Sequence, residues 1–79
     1  MDRNDVLRRI GEILRESLDD DGLRISETTS REDIATWDSL GHIRILTAIE
    51  ESFDVRFDLE EIPLITNVGE MVDLVLQKK

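Results

Sequence analysis

The stretch Trp37-Asp38-Ser39-Leu40-Gly41-His42-Ile43, running on through Arg44 to Ala48-Ile49-Glu50-Glu51-Ser52-Phe53, decides how the chain is read. At about 100° per residue, His42, Ile45, Leu46, Ile49 and Phe53 fall on one side, which predicts a helix over Ser39–Phe53 with a core-facing stripe. Asp38 stands at its cap, where a carboxylate accepts from backbone N–H groups that the first turn leaves free. Leu40 and Ile43 lie roughly 100–160° round from the centre of that stripe. Two apolar side chains are therefore placed away from the core, next to Ser39.

Helical spacing appears on both sides of this segment. Val6, Leu7, Ile10, Ile13 and Leu14 predict a first helix that reaches toward Leu18, with Asn4 or Asp5 as its cap. Gly11 inside it costs about 1 kcal/mol relative to Ala and points to a close helix crossing. In Asp19-Asp20-Asp21-Gly22 the glycine suits a C-terminal turn, and three acids oppose the negative helix end, so the helix stops there. Residues 22–37 lack sustained periodicity; Leu23, Ile25 and Ile34 are spaced as anchors for a long loop, a length that usually carries function. Asp58–Ile62 reads as one short helical turn closed by Pro63. Phe53-Asp54-Val55-Arg56-Phe57 alternates too briefly for a strand and reads as a connector with Val55 and Phe57 turned inward. Asn67 and Glu70 have the spacing of a capping box before Val68, Met71, Val72, Val75 and Leu76, and Lys78-Lys79 suit the end of that helix. The expected fold is all-α, three long helices and one short one, with residues 1–79 forming a single domain.

Seventy-nine residues with 39% apolar content build one small core. The chain has no cysteine, hence no disulfide, thiolate metal cluster or thiol nucleophile. A domain of this size does not readily enclose a deep, dry active site, so a non-catalytic role is expected. Ten bases against nineteen acids give a net charge of −9. Residues 16–70 hold fifteen of those acids and only four of the bases. Such a surface repels nucleic acid and anionic membrane and complements basic patches on other proteins. No apolar run approaches the ~20 residues of a membrane span, and Met1-Asp2-Arg3-Asn4-Asp5 is too polar for a secretory signal. A cytoplasmic monomer is the expectation.

The Asp38-Ser39-Leu40 motif at a helix start after a long loop, followed by a helix ending in Glu50-Glu51-Ser52-Phe53, resembles the acyl carrier protein family. The resemblance covers nearly the whole chain, including the order helix, long loop, helix, short helix, helix. It implies the acyl-carrier-type four-helix bundle. It also implies that Ser39 is the attachment point of a 4′-phosphopantetheine arm, delivered from coenzyme A by a phosphopantetheinyl transferase (a holo-acyl-carrier synthase). A hydroxyl at the first position of a helix suits a phosphodiester, because unpaired N–H groups and the positive helix end favour an anion. The alternative for Ser39 is a share in capping with Asp38. The resemblance further implies that Leu40 and Ile43 dock into acyl-loading and acyl-processing enzymes; for Ile43 burial in a broad core stripe is an equal alternative. Asp38, Glu50, Glu51, Asp54, Asp58, Glu60 and Glu61 are placed to meet basic docking patches, or simply form a solvated face.

The sequence departs from the commonest pattern of the family. Ala35-Thr36-Trp37 precedes the motif in place of a Gly-x pair, and the second helix carries Gly41, His42 and Arg44. Arg44 in the docking face opposes a partner built to read acids, which points away from housekeeping fatty acid synthesis. Trp-Asp-Ser-Leu-Gly-His looks more like stand-alone carriers of specialised pathways, serving polysaccharide, polyketide or aminoacyl loading, with short or polar cargo. His42, without a Cys or second His nearby, is expected to be a structural histidine rather than a metal ligand. Trp37 is expected to anchor the loop rather than line the path of an acyl chain. Ser17, Asp19, Asp21 and Gly22 imitate part of a calcium loop, but Ser17 and Thr28 fail at its two ends. The rival readings are an aminoacyl or peptidyl carrier with the same arm, and an unmodified acidic adaptor using Leu40, Ile43 and the acids.

Overall fold

The computed structural model describes residues 2–79. Three α-helices, α1 (Arg3–Ser17), α2 (Ser39–Phe53) and α3 (Val68–Lys78), are joined by a long loop and a shorter connector. α1 packs against both α2 and α3. Each helix contributes the stripe its spacing predicts: Val6, Ile10, Ile13 and Leu14 from α1, Ile45, Leu46, Ile49 and Phe53 from α2, and Val68, Met71, Val72 and Val75 from α3 are all buried. No strand forms among the described residues; Ser30 and Asn67 make an isolated antiparallel bridge.

The helix ends differ in detail from the expected ones. α1 begins at Arg3, and the cap is Asp2, whose carboxylate accepts from the Asn4 N–H at 3.4 Å. The earlier start brings Arg3 into position to pair with Glu27 of the loop and Asp73 of α3, which fastens the first turn to both. At the other end Asp19, not Gly22, takes the left-handed conformation, with φ 54°. Asp20 N then donates to Arg15 O at 2.9 Å and Asp19 N to Glu16 O at 3.3 Å, the paired bonds that close a helix through a left-handed residue. Aspartate tolerates that region better than most residues, and the helix ends where the apolar stripe runs out. Gly11 is buried, yet what faces it is Arg15 and Ile25 of the long loop rather than a crossing helix.

The short helix also moves. Residues 59–61 form turns, and a single 3-10 turn follows at Ile62–Leu64 with Pro63 inside it instead of after it. Proline has no N–H to lose at a first turn and its fixed φ is compatible with helix, so it begins this element rather than closing one. The connector behaves as expected, with Val55 and Phe57 buried. α3 has its capping box: Asn67 Oδ1 accepts from Glu70 N at 2.8 Å and the Glu70 carboxylate accepts from Asn67 N at 3.2 Å.

The long loop is fixed in place by backbone bonds. Val68 N donates to Thr29 O at 2.9 Å, Gly69 N to Glu27 O at 2.8 Å, and Arg31 N to Thr66 O at 3.2 Å. Two of the N–H groups that α3 would leave free are thereby satisfied by loop carbonyls. A 3-10 turn at Arg31–Asp33 follows, and Ile34 and Trp37 are buried beneath the last part of the loop. This route delivers the chain to Asp38 and the start of α2.

Candidate functional site

Asp38 caps α2 with both of its acceptors. Its side-chain Oδ1 takes the Gly41 N–H at 2.8 Å and its backbone carbonyl takes the His42 N–H at 2.8 Å. Ser39 is the first residue of the helix and is exposed. Its hydroxyl has no hydrogen-bond partner among the described residues, and neither do the N–H groups of Ser39 and Leu40. The capping role that competes for Ser39 is thus carried by Asp38 alone.

Gly41 allows the close approach beneath this turn. A Cβ there would lie 3.1 Å from Leu18 Cδ2 and 3.2 Å from both Asp38 Oδ1 and Thr36 O. His42 is 3% exposed and spans three segments. The Trp37 indole N–H donates to His42 Nδ1 at 3.0 Å, and His42 Nε2 bonds to Ile62 O at 3.0 Å. An indole N–H only donates, so Nδ1 is the bare nitrogen and Nε2 carries the proton given to Ile62. Burial pushes the imidazole below its usual pKa, the bond to Ile62 O opposes that shift, and the Arg31 charge adds to it. Both residues hold the loop, the start of α2 and the connector in fixed relation, as expected of an anchoring tryptophan and a structural histidine.

Leu40 is 62% exposed and Ile43 48%, so neither belongs to a broad core stripe. With exposed Arg44, Thr47 and Glu51 they form the outward face of α2. The other expected docking residues are not all free. One Glu50 carboxylate oxygen accepts from Phe57 N at 2.8 Å, which commits that side chain to the connector. Asp58 is exposed in the connector, off the helix, and donates through its N–H to Glu61 Oε1 at 2.8 Å. Glu61, in turn, pairs with Lys78 of α3 at 3.0 Å, and these two contacts hold its carboxyl below the usual range, the Asp58 N–H most strongly. Leu59, 85% exposed, and Leu64, 70%, add apolar surface in the connector that no local pattern marks as outward. Their spacing matches no helix face, and nearby Ile62 and Ile65 turn inward, so no local signal separates the two pairs. Among the described residues no cluster of His, Cys, Asp or Glu could hold a metal ion, and no helix is long and apolar enough to cross a membrane.

The chain is 36% identical over 78 residues to the acyl carrier protein of Rubrobacter xylanophilus, a match spanning 98% of this chain and 95% of the relative. The acyl carrier protein of Caulobacter vibrioides is 32% identical over 75 residues, covering 95% and 96%. The chain belongs to the acyl carrier protein family. The solution structure of the holo acyl carrier protein from Geobacter metallireducens superposes on this carrier with a TM-score of 0.85 at 36% identity, over 92% of this chain and 84% of that one. No family model matches the sequence.

Proposed function

We propose that this protein is a non-catalytic acyl carrier of a fatty-acid-like or specialised (polyketide, polysaccharide) pathway, with a 4′-phosphopantetheine arm on Ser39. The observation that carries the reading is the Ser39 hydroxyl, exposed and unbonded at the first position of α2 while Asp38 does all the capping. The holo state named for the Geobacter relative supports the same group here. In the loading step Ser39 Oγ attacks the diphosphate of coenzyme A; the new O–P bond forms as the P–O–P bond breaks. Adenosine 3′,5′-bisphosphate leaves, and the serine proton passes to a base of the transferase. Gly41 and the Asp38 cap keep the backbone of the first turn in place, and the unbonded N–H groups of Ser39 and Leu40 would be available to a phosphodiester on Ser39. When bound, the arm supplies the thiol that holds cargo as a thioester.

In this reading residues 1–79 are one carrier domain, and the turns through Ile62–Leu64 stand for the short fourth helix of the bundle. Leu40 and Ile43 dock into acyl-loading and acyl-processing enzymes, with Asp38, Glu51 and Asp58 at the margin of that contact and Glu50 of α2 tied to the connector through Phe57 N. The carrier works as a monomer in the cytoplasm. An aminoacyl or peptidyl cargo uses the same arm and fold, and the loading enzyme distinguishes the two.

Intact mass tests the attachment. The protein is incubated with coenzyme A, magnesium and a broad-specificity phosphopantetheinyl transferase, beside Ser39→Ala. The expected result is a gain of one phosphopantetheine in the wild type and none in the variant. No gain with several transferases leaves the unmodified adaptor, with Ser39 a bystander to the cap.

A further inference from the structure

α2 carries one Lys or Arg, and it is Arg44. Elsewhere the arginines of α1 are engaged: Arg3 with Glu27 and Asp73, Arg8 with Asp5, Arg9 with Glu12, and Arg15 with the Leu23 carbonyl. Arg44 is exposed, and among the described residues it has neither an ion pair nor a hydrogen bond, although the molecule has nineteen acids. It stands one helical turn beyond Leu40 and next to Ile43, the two apolar side chains exposed on this face. Leu18, Asp19, Thr36, Asp38, Leu40 and Arg44 are among the residues that border a shallow groove of about 190 Å³ beside the first turn, and Asp19 makes no ion pair with Arg44 there. The Asp38 carboxylate in that groove is occupied by the Gly41 N–H.

We propose that Arg44 selects the docking partner. An enzyme surface that seats Leu40 and Ile43 presents a carboxylate to Arg44, and a surface with Lys or Arg at that place is turned away. This inference rests on the carrier reading above. Two ranges of charge are involved. The net −9 attracts basic surfaces at a distance, but salt screens it beyond a Debye length of about 8 Å. Within the contact the guanidinium decides, since it pairs with a carboxylate through two parallel hydrogen bonds and repels a desolvated cation.

The test uses a phosphopantetheinyl transferase whose docking surface is basic, with coenzyme A and magnesium, and follows initial rates by mass. Arg44→Glu is expected to raise kcat/KM by about tenfold over the wild type, with Arg44→Ala between them. The spread is expected to shrink at about 0.5 M salt. Replacing the transferase's docking Lys or Arg by Glu is expected to reverse the order. Equal or slower modification of Arg44→Glu, at unchanged thermal stability, overturns the inference. If neither the wild type nor the variants gain mass with any transferase, the Ser39 reading fails, and this one goes with it.

Discussion

His42 accepts from Trp37 and donates to Ile62 O, a combination open only to the neutral ring. Protonation would place a second N–H at Nδ1, facing the indole N–H, with no acceptor between them. In the unfolded chain the imidazole titrates near its ordinary 6.5, while in the fold burial holds it lower, so the native state binds this proton more weakly. Stability is therefore complete above about 6.5 and declines as pH falls through that value toward the folded pKa. We expect the urea midpoint to fall between pH 7.5 and 5.5, with the Trp37 emission reporting the same transition. His42→Gln removes the sole histidine and should flatten the profile over that window. His42→Ala should cost about 1–3 kcal/mol at pH 7.5, because the buried Trp37 N–H loses its acceptor. A midpoint that rises on acidification would contradict the tautomer assigned here.

At the level of the helices, two glycines should answer oppositely to the same change. A Cβ on Gly11 would rest 3.4 Å from the flexible Arg15 guanidinium and 3.5 Å from Ile25 Cβ, ordinary contact distances. Gly11→Ala is expected to stabilise by about 1 kcal/mol, the helix-interior gain alone. A Cβ on Gly69 would lie 3.0 Å from the Glu27 carbonyl oxygen, the acceptor of the Gly69 N–H. Gly69→Ala is expected to lose about 1–3 kcal/mol through that clash, which outweighs a propensity gain reduced at the helix start. Urea titration of both variants measures the pair, and the same sign for both would disprove the packing account. Local spacing made α2, its Asp38 cap and the capping box of α3 legible in the sequence, and it favoured an outward Leu40; Ile43, left open between docking face and core stripe, is exposed as well. What spacing does not carry is a partner far along the chain. Arg3 with Asp73, Glu27 with Gly69 and Glu50 with the Phe57 N–H depend on tertiary position, and so Glu50 was expected among free docking acids. Asp19 displaced Gly22 for a similar reason: the end of the buried stripe, not the best turn former, sets the last turn.

For the molecule as a whole, the packing of the interior bears on cargo. Ile10, Ile13, Leu14, Ile45, Ile49, Ile65 and Met71 are all fully buried, so an acyl chain can enter only by displacing close-packed side chains. On the proposed carrier reading, short or polar cargo is therefore expected rather than a long saturated chain. Loading saturated acyl groups of increasing length should leave the amide shifts of core residues nearly unchanged; shifts that grow with chain length would show that the interior opens. The acids spread over the surface contribute differently. Glu27, Glu61 and Glu70 are all held below the ordinary 4.5 by hydrogen bonds from Arg3, Asp58 N–H and Thr66 respectively, so their contribution is present above that value and is lost as pH falls below it. The union of the long loop with the first turn of α3 also divides the first interhelical segment into two unlike parts. Glu27 and Thr29 accept from the first turn of α3 and Arg31 donates to Thr66 just before it, whereas Asp20, Asp21 and Gly22 bond only among near neighbours and face solvent. A reporter peptide or an affinity tag spliced in at Asp21-Gly22 would hang from the rim of the molecule, while the same graft five residues later would pry α3 loose.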